Sequence, residues 1–344
     1  MIARFLRVLA VACVIAAGVP RADAASEPVN DPALVAAAKR EGVVVFYSTF
    51  SQPDTNALAA RFQEHYGFPM QTLRADPATM ASRILTEQRG GRFEADVTTE
   101  PGFETDELKH QGALEQYRAP ENRDLLAGTV DPDGYWSTIF INSEVIGYNT
   151  ARIKALGLKA PRSWEDLAAK EWRTNFSMYA SSFEWLQAMK RFFGRDRALV
   201  LARGYGANQP RLVGSHSQAV SLLLSGEVAA AANAYAYDLL LQKDRGLPID
   251  FVNPVPTVLE LGCVEILKSS PHPNAARLFE RWWLSRDTQQ WFRQTLHRAS
   301  ARKDIQNDPR LLDPKVRYLI SNPADSVNAP EQIHDFNEAF NRPT

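Results

Sequence analysis

The chain has 344 residues, of which 45% are hydrophobic, with 39 basic and 40 acidic side chains. A net charge of −1 provides no basic field, which excludes binding to nucleic acid or to an anionic membrane through bulk charge. The length is sufficient for two lobes, each with its own hydrophobic core.

The first 24 residues have the order that is typical of an export signal. Arg4 and Arg7 give a basic start, residues 9–19 are an apolar run too short to span a bilayer, and residues 22–24 (Ala-Asp-Ala) form a small-x-small cleavage site. We therefore predict a cleavable signal peptide and a periplasmic location. Without this segment the net charge becomes −3.

The next hundred residues alternate helices with strands. Asp31 and Pro32 are typical of a helix start, and Gly42 of a helix end. The predicted elements that follow are a strand at 43–47, a helix ending at Gly67, a strand at 70–74, a helix from Pro77 to Gly90 and a strand at 95–99. This order indicates a parallel, doubly wound sheet.

A second α/β block follows without a long linker. Its predicted elements are extended segments at 139–141 and 145–148 joined by a loop at 142–144, a short helix from Ser163, strands at 176–179, 211–214, 228–233, 251–252 and 258–267, helices after Ser182 and after Ser217, and two final helices, one at 273–283 and one capped by Asp287. Two such blocks predict an α/β fold of two lobes, joined by crossing strands around a cleft.

Catalytic motifs are missing from the sequence. It contains no G-x-S-x-G elbow, no P-loop, no G-x-G-x-x-G and no H-E-x-x-H. An exported α/β protein of this kind is more typical of a binding protein than of an enzyme, and an exported enzyme with an unrecognised site is the alternative.

Four loops at predicted strand ends each precede a helix. Ligands of open α/β sheets bind at such ends, and helix N-termini attract anions. A role as a simple helix cap is the alternative for each hydroxyl side chain. The candidate ligand-binding residues in these loops, with one tryptophan in the turn that follows, are Ser48, Thr49, Arg74, Asp76, Thr98, Thr99, Glu100, Ser181, Ser182 and Trp185.

A second candidate group ends the strand at 228–233 and begins a helix. It contains Asn233, Tyr235 and Tyr237. The two phenols would bind a cation as phenolates, or a carboxylate as hydrogen-bond donors. On a helix start, we expect the two rings to diverge.

Short segments spread over most of the chain carry a family resemblance. They lie at residues 43–48, 94–97, 112–114, 145–149, 161–167, 225–228, 274–279 and 284–289. In this order the chain resembles the periplasmic solute-binding proteins of ABC importers, in the ferric-ion-binding branch. The resemblance implies the two-lobe, type II periplasmic binding-protein fold, closure on a ligand, an inner-membrane ABC permease as partner, and a monomer.

The ligand is less clearly indicated than the family. Iron-binding members resemble this chain at Asn233 and Tyr235 but have a second, adjacent tyrosine, where this chain has Ala236. We therefore predict a small organic anion, namely a carboxylate, a phosphonate or a phosphate ester, with no cofactor. The alternative is ferric iron, with Tyr235 and Tyr237 as its ligands.

The resemblance also implies a division of the chain. The predicted segments are the signal peptide at 1–24, the first part of the N-terminal lobe at 25–125, the C-terminal lobe at 126–260, a return to the N-terminal lobe at 261–316, and a tail at 317–344 that packs on the second lobe.

Overall fold

The computed structural model describes residues 29–321 and 329–343. The predicted signal peptide at 1–24 lies outside the described residues. No helix within the described part of the chain is long and apolar enough to cross a membrane.

Ten strands of the described residues form a single mixed sheet. In chain order they are β1 (Val44–Ser48), β2 (Met70–Arg74), β3 (Val97–Pro101), β4 (Ser137–Asn149), β5 (Phe176–Tyr179), β6 (Arg211–Val213), β7 (Ala230–Tyr235), β8 (Ile249–Val252), β9 (Thr257–Ile266) and β10 (Tyr318–Ser321). Their spatial order is β2-β1-β3-β9-β4-β7-β5-β6, with β10 beside β9 and β8 beside β4.

Helices pack against both halves of this sheet. The α-helices of the described residues are α1 (Pro32–Glu41), α2 (Gln52–Tyr66), α3 (Pro77–Arg89), α4 (Gly102–His110), α5 (Thr150–Leu156), α6 (Phe183–Phe193), α7 (Arg195–Ala207), α8 (His216–Leu224), α9 (Ala236–Asp244), α10 (Pro273–Leu284), α11 (Arg286–Thr295) and α12 (Ala329–Ala339). Short 3₁₀ turns occupy Pro120–Asp124, Trp164–Ala168 and Lys170–Trp172.

Two parallel wings are joined by two long antiparallel strands. β1 pairs in parallel with β2 and β3, and β5 pairs in parallel with β6 and β7. Between the wings, β9 runs antiparallel to both β3 and β4, and β4 runs antiparallel to β7. The carboxyl ends of the parallel strands, where α/β proteins bind ligands, therefore approach each other across β4 and β9.

The hydrophobic residues form a core for each wing. The first is built around Phe46 and Phe279, and the second around Trp164 and Phe176. β4 contributes to both, since Ile139 packs in the first core and Ile146 in the second. We call the wings with their cores the N-terminal and the C-terminal lobe.

Local signals explain most element ends. The Asp31 carboxylate accepts a hydrogen bond from the Leu34 amide at 3.1 Å, as a helix N-cap does. Gly42 ends the same helix in the left-handed conformation, with φ of 82°. The alternation of three helices and three strands predicted for residues 31–101 is confirmed.

Several sequence-based details are corrected. The predicted loop at 142–144 is part of one continuous strand, β4, because these polar residues find partners inside the structure. Ser285, not Asp287, caps α11, by accepting from the Thr288 amide. Trp136 lies beyond the predicted lobe boundary at 125/126, yet it packs in the first core.

The last described helix packs far from its neighbours in sequence. α12 places Phe336 and Phe340 in the second core, against α6 and α7. Gly206 on α7 permits this approach, because a Cβ there would overlap the backbone of Ala339.

Candidate functional site

A cavity of about 450 Å³ lies between the two cores, at the ends of the parallel strands. Both lobes line it, the first through the loops after β1 and β3 and the second through those after β5, β6 and β7. The sequence-predicted residues that the structure brings together here are Thr49, Arg74, Asp76, Thr99, Glu100, Ser181, Ser182, Trp185, Asn233, Tyr235 and Tyr237.

Two predicted residues do not line the cavity. Ser48 is fully buried, and its hydroxyl lies 2.7 Å from that of Thr55. Thr98 donates a hydrogen bond to the Tyr47 carbonyl oxygen at 3.1 Å. Thr99, the next residue of β3, lines the cavity, whereas Thr98 is buried beneath it and also contacts Glu100 at 3.3 Å.

A chain of hydrogen bonds fixes the side chain of Asn233. The Ser182 hydroxyl donates its hydrogen to the Tyr179 carbonyl at 2.7 Å, so it accepts from the Asn233 amide nitrogen, also at 2.7 Å. The Asn233 Oδ1 atom, in a side chain that is 1% exposed, has no hydrogen-bond partner. Its backbone adopts φ of 47°, a left-handed conformation that is uncommon outside glycine.

His216 packs on the same side of the cavity. Its ring lies 4.1 Å from that of Tyr235, between centroids, and 4.7 Å from that of Tyr179. Burial lowers the pKa of His216 to about 4, so the imidazole is neutral at pH 7. Nδ1 lies 2.9 Å from the Asn233 carbonyl oxygen and donates to it, which leaves Nε2 as an acceptor.

The two predicted tyrosines lie side by side. Their rings stack at 5.9 Å between centroids with an interplanar angle of 24°, so the expected divergence is wrong. Tyr235 caps α9 in an extended conformation, whereas Tyr237 is in the first helical turn. Burial, together with the negative charge of Glu260, raises the pKa of Tyr235 well above its usual value, so its phenol stays protonated.

Most of the acidic side chains that line the cavity are glutamates, and only Glu100 among them was predicted from the sequence. The five that line the cavity are Glu100, Glu104, Glu144, Glu184 and Glu260. Glu144 and Glu260 are almost fully buried on the two long central strands, β4 and β9. A glutamate inside an otherwise apolar strand was the available signal, as in the segment LELGC at 259–263.

Three of these carboxyl groups converge. One oxygen each of Glu144, Glu184 and Glu260 lies within 4.8 Å of the other two. Tyr235 donates to both oxygens of Glu260, at 2.9 and 2.8 Å, and the Phe103 amide donates to Glu184. We call Glu144, Glu184 and Glu260 the carboxylate cluster. Oxygen ligands at this spacing could hold a hard metal ion.

Burial raises the pKa of each carboxyl group in the cluster. For Glu260 the value is about 7, because hydrogen bonds from Tyr235 and Asn142 partly offset the loss of hydration. For Glu144 and Glu184 it lies well above the usual range, because burial acts together with the charges of neighbouring glutamates. In the first lobe, burial raises the pKa of Glu104 to about 8.

The two arginines of the lining already have carboxylate neighbours. Arg74 pairs with Asp76 at 2.7 Å. Arg298 lies 3.6 Å from an Asp54 oxygen and over the Tyr237 ring, 4.2 Å from its centroid. The positive charge in the cavity is thus partly neutralised, while none of the five glutamates forms an ion pair with a basic side chain of the described residues, although the charge of Arg298 lowers the pKa of Glu260.

One of the four helix N-termini expected to attract an anion, that of α4, already has an acceptor within the chain, and so does the N-terminus of α8, which was not among the four. Glu184 accepts from Phe103 in the first turn of α4, and Gln218 accepts from Gly214 just before α8. Both features weaken the case for an organic anion at these two helix N-termini, because one backbone donor at each already has an acceptor within the chain.

The sequence pattern described as "Bacterial extracellular solute-binding protein" matches residues 57–316. A protein of Haemophilus influenzae described as "Uncharacterized protein" is 23% identical over 317 residues, covering 87% of this chain and 90% of that protein.

Solved structures show the same fold. The periplasmic binding protein AfuA from Actinobacillus pleuropneumoniae, with fructose-6-phosphate bound, has a TM-score of 0.81 at 21% identity, covering 87% of this chain and 99% of its own. Iron-bound HitA from Pseudomonas aeruginosa has a TM-score of 0.74 at 23% identity, covering 86% and 99%. The fold is that of type II periplasmic binding proteins. The resemblance found in the sequence is confirmed, and the chain belongs to the bacterial extracellular solute-binding protein family.

Proposed function

We propose that this protein is the periplasmic substrate-binding protein of an ABC importer, and that its cargo is a small organic solute carrying positive charge. The observation that carries the proposal is the set of five glutamates around the cavity, three of them converging in the carboxylate cluster. Buried carboxylates are costly unless they are paired, so a cationic group offsets their desolvation.

The size and the walls of the cavity favour an organic cargo. A volume of about 450 Å³ is in the range of small-molecule sites and far exceeds that of a bare ion. Aromatic side chains of both lobes, including Phe103, Phe140 and Trp185, line it beside the glutamates. Rings of this kind pack against a carbon skeleton and stabilise a nearby cation.

Lobe closure is the proposed mechanism. Since both lobes line the cavity, a bound solute contacts both, and their approach completes the site. The closed monomer would then deliver the solute to an inner-membrane permease. The proposal includes no covalent chemistry. An enzyme, by contrast, would convert the solute.

Ferric iron is the second candidate cargo. The carboxylate cluster supplies hard oxygen ligands, and Tyr235 contacts it through Glu260. The raised pKa of Tyr235 and of Tyr237, about 12 for the latter, makes phenolate ligation costly before iron is bound. Iron bound by tyrosine would colour the protein through a charge-transfer band, which gives a direct test.

Native mass spectrometry of the protein purified from a periplasmic extract is the first experiment. We expect a small cationic organic molecule to be released unchanged on denaturation. Calorimetry with that molecule should give weaker binding to Glu260→Gln, and unchanged binding to Glu227→Gln, an exposed surface residue paired with Arg211. An anionic cargo would overturn the proposal, and chemical conversion of the molecule would favour the enzyme alternative.

A further inference from the structure

The carboxylate cluster defines the kind of positive charge that fits. We propose that Glu144, Glu184 and Glu260 form a receptor for a primary ammonium group, each carboxyl group accepting one of its three N–H hydrogens. This inference rests on the proposed function, because it names the cationic group of the cargo.

The spacing of the oxygens is compatible with this geometry. A tetrahedral ammonium with hydrogen bonds of about 2.8 Å places its three acceptors about 4.6 Å apart. The cluster oxygens lie within 4.8 Å of one another. One nitrogen can therefore contact all three carboxyl groups.

Asn233 provides independent support. Its side chain is nine-tenths or more buried, it lines the cavity, and its amide nitrogen is fixed on Ser182, so that the free oxygen Oδ1 is left unpartnered. Its side chain also hydrogen-bonds Glu144, which places it beside the cluster. Glu144 itself has an unpartnered oxygen, Oε2.

The free groups beside the cluster are therefore acceptors. They favour a ligand group that only donates, and a primary ammonium has three donors, which the three carboxyl groups accept, and no acceptor of its own that would face the Asn233 oxygen. A quaternary ammonium has the charge but no N–H, so it would leave these buried oxygens unsatisfied, at a cost. A metal ion would be coordinated by the oxygens, but it has no carbon skeleton that could pack against the aromatic side chains lining the cavity.

The experiment measures thermal stabilisation of the whole protein by minimal probes. Methylammonium, tetramethylammonium, magnesium and ferric citrate are added separately at equal ionic strength. A ligand of two non-hydrogen atoms binds at best with a Kd of the order of millimolar, so methylammonium is tested at about 100 mM. We expect methylammonium to raise Tm and tetramethylammonium to leave it unchanged.

Variants locate the effect. Glu144→Gln should weaken methylammonium binding about tenfold or more, Glu184→Gln should do the same if the first variant fails to fold, and Glu227→Gln should bind as the unmodified protein does. Equal stabilisation by tetramethylammonium, or stabilisation by a metal probe alone, would overturn the ammonium receptor and leave a cationic cargo standing. No stabilisation by any of the four probes would overturn both the receptor and the cationic cargo.

Discussion

Tyr235 donates its phenolic hydrogen to the two oxygens of Glu260, at 2.9 and 2.8 Å. The bond connects the end of β7 with β9, although β4 lies between these strands in the sheet. It stabilises the charged form of Glu260 and lowers a pKa that burial raises. Tyr235 therefore acts through Glu260, by keeping a carboxylate available to a cation.

The two tyrosines should differ when their hydroxyls are removed. Tyr235→Phe deletes the donor to Glu260, and the loss of a hydrogen bond to a charged group costs about 1.5–3 kcal/mol, or roughly tenfold or more in affinity. Tyr237→Phe keeps the ring under Arg298 and should change affinity less. Calorimetry on both variants with the co-purified cargo tests this. Equal losses would contradict a specific role for the Tyr235 hydroxyl.

Cargo affinity should fall as the pH is lowered from 8 to 6. In the free protein, burial raises the pKa of Glu260 to about 7 and that of Glu104 to about 8. A bound cation favours the ionised carboxylates, so binding releases protons, and acidic solution opposes that release. Calorimetry in two buffers of different ionisation enthalpy counts the protons. Uptake of protons on binding would contradict this prediction.

The ligand-free protein should become more stable as the pH is lowered over the same range. A raised pKa in the folded state means that folding binds protons, so this contribution is complete below the ordinary glutamate pKa, about 4.3, and is lost as the pH rises through about 7 to 8. Glu260→Gln removes one such group and should flatten the dependence of Tm on pH between 5 and 8. An unchanged slope would place the titration elsewhere.

The sequence predicts the elements well because their signals are local. Asp31 and Gly42 bound α1 through hydrogen bonds within a few residues, and the loops that open helices at strand ends follow from the α/β order. For that reason Thr49 and Ser182 could be predicted to lie at the cavity. The sequence could not show that Ser48 and Thr98 lie away from the cavity, because the direction of a side chain at a strand end depends on how the strand sits in the sheet.

The convergence of the glutamates depends on contacts between segments that are distant in sequence, although a glutamate inside an apolar strand was itself a local signal. Glu144 and Glu260 are distant in sequence, and they meet Glu184 only after β4 and β9 pair and α6 packs beside them. The sequence gives helix N-termini that suit an anion, but Glu184 already accepts from one of them. The proposed cationic cargo is therefore argued from the assembled cavity and not from any one segment of the sequence.

Gly262→Ala should destabilise the protein. A Cβ at this position of β9 would overlap the ring of Phe140, which packs against Phe50 and Phe292 and has little room to move. Overpacking of this kind costs about 1–3 kcal/mol. Urea unfolding should show a lower midpoint. Gly214→Ala is the matched control, because its nearest atom beyond the adjacent residues is 3.7 Å away, and it should unfold as the unmodified protein does.

Glu184 contacts both lobes, which leads us to expect a role in the proposed lobe closure. It belongs to α6, whose Leu186 packs in the second core, while its partner Phe103 belongs to α4, whose Leu108 packs with the first lobe. The Phe103 and Phe183 rings also meet between the lobes, at 5.6 Å between centroids. A carboxyl group that contacts both the cargo and the opposite lobe favours the closed form when cargo binds.

Two substitutions separate these roles of Glu184. Glu184→Gln keeps an oxygen that can accept from the Phe103 amide but removes the charge, so it should bind cargo about tenfold more weakly and still close at saturation. Glu184→Ala removes the acceptor as well, and should leave the radius of gyration larger at saturating cargo. Small-angle scattering with and without cargo measures the difference. If both variants close to the same radius as the unmodified protein, the contact with Phe103 does not contribute to closure, and the cluster acts on affinity alone.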